Sequence, residues 1–219
     1  MHDNIILTRY LYNRDTVFRQ LGECIRNKEY EKSLFWAYEL YFSWYEEELI
    51  KYLIDLINKE YSQYKFMKGF LKKHLAEWIS EPITNKPHEF IATIIRNLVL
   101  RSPMGIENNK FPLIFVLEED IEKYYTVQDI NILPTIDLDK YTVMNIEFEK
   151  LYDLCENWLY YASKNPLWKY RIGQFKGTID TKKRRVIFPN SSTKEQFSEN
   201  FGYKFDMKLP EFQIRCFGL

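Results

Sequence analysis

Apolar positions recur at helical spacing through the first hundred residues. Val17, Phe18, Leu21, Cys24 and Ile25 fall on one face and predict a helix over residues 15–27, with Asn13 or Asp15 as its cap. A second helix is predicted over 30–42. Tyr30, Leu34, Ala37, Tyr38, Tyr41 and Phe42 form its stripe, and Phe35, Trp36 and Leu40 extend it almost around the helix. A helix apolar on most sides is usually sandwiched by neighbours. Ser43 followed by Glu46 has the spacing of a capping box and predicts a third helix from there to about 61. A fourth is predicted over 62–79, with Phe66, Phe70, Leu71, Leu75 and Trp78 inward and Lys65, Lys68, Lys72 and Lys73 outward. Pro82 and Pro87 break the pattern, and a fifth helix follows over 88–101 with Phe90, Ile91, Ile94, Ile95, Leu98 and Val99 inward.

Two readings stay open for residues 113–127. Leu113 to Leu117 have the run of a buried strand. Pro112 at a first turn, with Ile121, Tyr124 and Tyr125 beyond, also fits a helix. Residues 129–145 read as irregular, and a sixth helix is expected over 147–163, with Phe148, Leu151, Tyr152, Cys155 and Leu159 inward.

Past Pro166 the pattern changes. Residues 171–188 read as strand, turn, strand, with 175–179 and 184–188 flanking the polar turn Asp180, Thr181, Lys182, Lys183. Ser192 and Glu195 form another capping box, opening a short helix that Gly202 ends. Residues 210–219 read as a short strand or an extended tail. The expected fold is mainly α: an irregular helical bundle or short solenoid over 1–165, with a small basic α+β appendage over 166–219 that contains a β-hairpin.

Charge sharpens this division. The 31 basic and 31 acidic side chains cancel over the whole chain, yet residues 1–163 carry −7 and residues 164–219 carry +7. No overall pull toward nucleic acid or anionic membrane is expected; the opposed charges suit either docking of the basic end on the acidic body of the same molecule or an acidic partner. No apolar run reaches the length of a membrane span. Residues 1–12 lack the basic start and apolar core of a signal peptide. Three widely spaced cysteines, Cys24, Cys155 and Cys216, fit buried thiols in a reducing compartment. The expected location is therefore cytoplasmic, with no membrane partner.

Two resemblances add to this reading. Phe18, Leu21, Gly22 and Ile25, followed by Tyr30, Ser33, Ala37 and Leu40, resemble a tetratricopeptide-repeat hairpin over about 30 residues. In that family Leu-Gly on the first helix lets the second pack closely. No second Leu-Gly follows one repeat later, so the resemblance implies a helical hairpin of that shape rather than a repeat array. Residues 7–60, above all the stretch from Phe35 to Ser43, look like a segment in uncharacterised proteins of large DNA viruses. A composition rich in Lys, Ile, Asn, Tyr and Phe, with four Ala, matches AT-rich codons. That resemblance implies a viral source and carries no chemistry.

Candidate chemistry is sparse. His2, His74 and His88 are far apart, and the chain has neither C-x-x-C nor H-E-x-x-H. The glycines form no phosphate loop, and no G-x-S-x-G elbow occurs. Cys24 and Cys155 lie on apolar faces, where burial raises a thiol pKa and makes it inert. Glu118, Glu119, Asp120 and Glu122, with Asp137 and Asp139, offer carboxylates for a divalent ion but no spacing that ties them together. No cofactor and no metal are expected.

Binding chemistry is better represented. Tyr38, Tyr41, Trp44 and Tyr45 gather the residue types that carry interface hot spots, on a helix pair. Lys169, Arg171, Lys182, Lys183, Arg184 and Arg185 interleave with Trp168 and other aromatics, a combination that contacts phosphate and stacks on unpaired bases. The leading expectation is a non-enzymatic adaptor or scaffold that binds a protein partner through the tyrosine and tryptophan cluster. The alternative is a protein that binds single-stranded RNA or DNA through the basic hairpin. A metal-dependent phosphoryl-transfer enzyme built on the acidic cluster comes third.

Overall fold

The computed structural model describes residues 5–81, 88–103, 112–125, 134 and 157–201. It is mainly helical, with a small two-stranded antiparallel hairpin near its C-terminal end. Among the described residues there are eight α-helices: α1 (Arg14–Arg26), α2 (Tyr30–Tyr41), α3 (Glu46–Glu60), α4 (Lys65–Ser80), α5 (Glu89–Val99), α6 (Trp158–Ala162), α7 (Pro166–Gln174) and α8 (Ser191–Phe201). The strands are β1 (Thr178–Asp180) and β2 (Arg185–Ile187). Two compact units are present. One comprises Met1–Val17, Phe42–Trp44 and Thr135–Leu219, and the other Phe18–Tyr41 and Tyr45–Pro134. Residues 166–219, read from the sequence as an appendage, thus share a unit with the N-terminal segment.

In the larger unit α2 is the central element. Every residue from Ser33 to Tyr41 is buried, as expected of a helix apolar on most sides. It packs against α3 and α5, whose inward residues include Leu49, Leu53 and Ile57, and Ile91, Ile94, Ile95 and Leu98. Its tyrosines are part of this core: Tyr38 donates to the His88 carbonyl at 2.9 Å and stacks on Tyr124, centroids 5.6 Å apart. Gly22 on α1 faces α3, and a Cβ there would collide with the Tyr52 hydroxyl. That close approach explains a glycine in a helix interior.

Two of the expected helix starts differ. Of the two expected caps, Asn13 is the one used at α1, its Oδ1 accepting from the amides of Asp15 and Thr16 at 3.0 and 3.3 Å, while Asp15 lies inside the helix. Ser43 does not cap α3. Its hydroxyl accepts from the Arg9 amide at 2.7 Å, and α3 begins at Glu46 with no side-chain cap. Ser192 likewise lies inside α8, which is capped by Asn190 through the Thr193 amide at 2.8 Å. Residues 112–117 form neither expected structure: they make no strand ladder and no helix, and two 3-10 turns follow at Glu118–Asp120 and Glu122–Tyr124. Most of the sixth expected helix lies outside the described residues, as do the loop 129–133, Gly202 and 210–219. Its described end is α6.

In the smaller unit, Asn165 and Pro166 open a helix that continues through residues 171–174, where strand was expected. Asn165 Oδ1 accepts from the Leu167 amide at 2.7 Å, and Pro166 occupies the first turn, where its missing N–H costs nothing. Arg171 therefore lies in α7 rather than in a strand. The hairpin pairs Thr178 with Ile187, Ile179 with Val186 and Asp180 with Arg185. Asp180 Oδ1 accepts from the amides of Lys182 and Lys183 at 3.1 and 3.0 Å, an Asx turn that fixes the loop. Arg184 completes it with φ of 49°. Beneath it Phe197 is fully buried among the rings of Trp168, Phe175, Phe188 and Phe201.

Candidate functional site: an aromatic groove with an acidic rim

The site begins with a polar stripe inside an apolar helix. On α5 and the residue pair that follows it, Thr93, Asn97 and Arg101 recur every four positions, and all three are buried. Buried polar groups need partners, and these three find theirs in one another and in the backbone of residues 112–116. Thr93 Oγ1 accepts from the Val116 amide at 3.1 Å. Asn97 Oδ1 accepts from the Ile114 amide at 3.1 Å, while its Nδ2 donates to the Ile114 carbonyl at 2.7 Å. Arg101 donates to the Pro112 carbonyl at 3.1 Å and to Asn97 Oδ1 at 2.8 Å. The match is geometric: one helical turn of four residues rises about 6 Å, and two extended residues span about 6.6 Å. Side chains four apart on a helix can therefore hold every second residue of an extended chain. Burial draws the Arg101 guanidinium below its ordinary pKa range, and its ring contact with Phe66 at 4.6 Å covers it further.

Pinned this way, the extended segment turns Ile114, Phe115 and Leu117 outward while Val116 stays buried. Phe115 is 63% and Leu117 60% exposed, and Ile114 is exposed beside them. They are three of eight exposed large apolar side chains among the described residues, packed into four consecutive positions. Concentration of that kind marks an interaction surface, whereas single exposed apolar residues do not.

Segment, α4 and α5 together enclose a groove of about 530 Å³. The contribution of α4 is a single face, Phe70, His74, Glu77, Trp78 and Glu81; α5 adds Glu89, Phe90 and Thr93; the segment adds Phe115 and Val116. Its rings interlock. Phe90 stacks between Phe70 and Trp78, with centroids at 5.6 and 5.5 Å, and Phe115 meets Phe70 edge-on at 5.8 Å. The rim is acidic: Glu77, Glu81 and Glu89 line the groove, His74 Nδ1 stands 3.4 Å from Glu77, and no Lys or Arg is among the described lining residues.

The residues singled out from sequence are placed differently. Tyr38, Tyr41 and Tyr45 are buried in the core of the larger unit, at 0, 3 and 4% exposure. Burial withdraws them from a surface role. Trp44 is exposed, with φ of 66°, and its ring lies 5.5 Å from that of Tyr170. Trp168 is fully buried and donates its indole N–H to the Thr8 carbonyl at 3.0 Å, so it has no face to offer a base. Arg171 lies over the rings of Trp168 and Phe201 at 4.6 and 4.9 Å. Lys169 is exposed on α7, and Lys182, Lys183, Arg184 and Arg185 are exposed at the hairpin loop.

The remaining chemical candidates are scattered. Glu118, Glu119, Asp120 and Glu122 are exposed on the two 3-10 turns, and Asp137 and Asp139 lie outside the described residues. Among the described residues no group of three or more His, Cys, Asp or Glu side chains is placed to hold a metal ion. Burial, with Glu29 beside it, pushes the Cys24 thiol up to about 12, which makes it a poor nucleophile. Cys155 and Cys216 are not among the described residues. No described helix is long and apolar enough to cross a membrane. Comparison with family models, curated proteins and solved structures finds no match.

Apolar periodicity on α5 does not disclose the groove, because it marks the face that meets the core and not the face that meets residues 112–116. Thr93, Asn97 and Arg101 at i, i+4, i+8 were the available signal. A polar stripe on a buried helix announces that something polar lies against it.

Proposed function

We propose that this chain is a non-enzymatic interaction protein, an adaptor that binds a protein partner at the groove between α4, α5 and residues 112–117. The observation that carries the reading is the apolar run Ile114, Phe115 and Leu117, held outward beside an aromatic floor. An exposed aromatic anchor next to a concave apolar site is the usual anatomy of an interface hot spot. The viral resemblance of residues 7–60 and the cysteine usage extend the proposal to a viral protein acting in the cytoplasm of an infected cell.

The test is affinity capture with the full chain and with Phe115→Asp and Leu117→Asp, followed by identification of what is retained. Both side chains are exposed, so each variant is expected to keep its helical circular dichroism and melting temperature. A partner retained by the parent chain and lost by both variants is the expected outcome. A partner that both folded variants retain fully would refute this placement.

A further inference from the structure

The groove carries information about its occupant. We infer that it takes an extended cationic peptide segment, with a Lys or Arg side chain entering between Glu77, Glu81 and Glu89 while the peptide backbone lies along the open edge of residues 113–115. This inference rests on the interaction reading above and specifies the partner's chemistry.

Charge is the first argument. Three carboxylates and no described Lys or Arg line the groove. Glu89 Oε2 is shielded from solvent and has no hydrogen-bond partner among the described residues. A guanidinium or ammonium entering among these carboxylates meets charge-assisted hydrogen bonds at their strongest. The floor agrees with the rim. Trp78, Phe70, Phe90 and Phe115 present an aromatic lining, and a cation beside aromatic faces is attracted by the ring quadrupole. Acidic rim and aromatic floor select the same ligand group.

Backbone geometry supplies the second argument. Along an extended chain successive N–H and C=O groups alternate in direction. Both backbone groups of Ile114 and the amide of Val116 turn toward α5, where Asn97 and Thr93 bind them. Leu113 and Phe115 must turn theirs the opposite way, and none of those backbone groups is hydrogen-bonded among the described residues. An extended peptide adding to such an edge gains main-chain hydrogen bonds, with alternate side chains reaching the pocket for specificity.

A randomised heptapeptide library displayed on phage, panned against the full chain, tests this. Enriched peptides are expected to share Lys or Arg at one position and an apolar residue two positions away. A synthetic copy of the consensus should bind, with affinity falling as salt rises. The triple variant Glu77→Gln, Glu81→Gln, Glu89→Gln, with its fold checked by circular dichroism, should bind that peptide at least about tenfold more weakly, the equivalent of roughly 1.4 kcal/mol. If the selected peptides are lost with Phe115→Asp yet show no basic preference or ignore the triple variant, the cationic assignment fails and the interaction reading stands. If no peptide is enriched, the extended-peptide assignment is overturned, and capture of a partner through Phe115 decides the interaction reading separately.

Discussion

Trp168→Ala is expected to destabilise the protein by about 4 kcal/mol, the upper part of the range for truncating a buried aromatic. Trp168 is fully buried, and its ring meets those of Trp158, Phe197 and Phe201 with centroids 5.7, 6.4 and 6.2 Å away. Truncation to a methyl group opens a cavity between α6, α7 and α8. It also removes the indole donor from the Thr8 carbonyl and the aromatic surface beneath Arg171. Neighbouring Asn165 donates to the Leu7 carbonyl at 2.8 Å, so two adjacent backbone carbonyls of the N-terminal segment are held by the start of α7. The loss is therefore tertiary as well as local. Urea unfolding followed by circular dichroism measures it, since this readout does not depend on the tryptophan removed. Trp168→Phe keeps most of the ring and should cost clearly less. A loss below about 1 kcal/mol for the alanine variant would mean that the aromatic cluster does not hold this unit together.

Asn97→Leu is expected to cost about 3 kcal/mol, although leucine has the same number and branching of side-chain heavy atoms as asparagine. Asn97 is fully buried and spends both ends of its amide on defined partners: the Thr93 carbonyl, both backbone groups of Ile114, and Arg101. Leucine leaves the Ile114 groups without partners and removes one acceptor from a buried guanidinium. Unsatisfied groups of this kind cost about 1–3 kcal/mol each, more when charged. The effect should also be visible locally. In the parent chain the amides of Ile114 and Val116 are expected to exchange slowly with deuterium, and in the variant both should exchange rapidly while the α2 amides stay protected. If the exchange of Ile114 is unchanged, Asn97 is not what holds the segment.

Legibility of this fold from sequence followed the kind of force involved. The first five helices are set by apolar periodicity, which one sequence displays, and their approximate spans were readable. The Asn13 cap was readable because its partners are two and three residues away. Ser43 has the same local signature as a cap, yet its hydroxyl is taken by Arg9, 34 positions away; local spacing does not record such competition. Residues 112–117 were ambiguous for a related reason. A strand is recognised by pairing with backbone, and this segment pairs with side chains of α5 instead.

The site residues divide along the same line. Tyr38, Tyr41 and Tyr45 have hot-spot chemistry, but α2 and its surroundings are apolar on most sides, and that pattern already argued for burial over binding. Trp168 is withdrawn from base stacking by tertiary burial, which the mixed polar and apolar pattern of α7 does not display. The hairpin itself is readable, because its composition needs no tertiary partner to be understood; its turn lies at residues 181–184, one position later than the expected 180–183. What single-sequence reading lacked was the relation between Thr93, Asn97 and Arg101 and a segment some twenty residues on.

The central claim is that partners dock at Phe115. It is tested most directly by replacing Phe115 with the photoreactive residue p-benzoylphenylalanine and irradiating the full chain in a lysate of its native cell. An otherwise identical chain carrying the probe at Ile187, an exposed position on the hairpin, serves as control. A discrete cross-linked protein is expected from position 115, absent from position 187 and suppressed by an excess of the unlabelled chain. Cross-linking from position 187 but not from position 115 would contradict it.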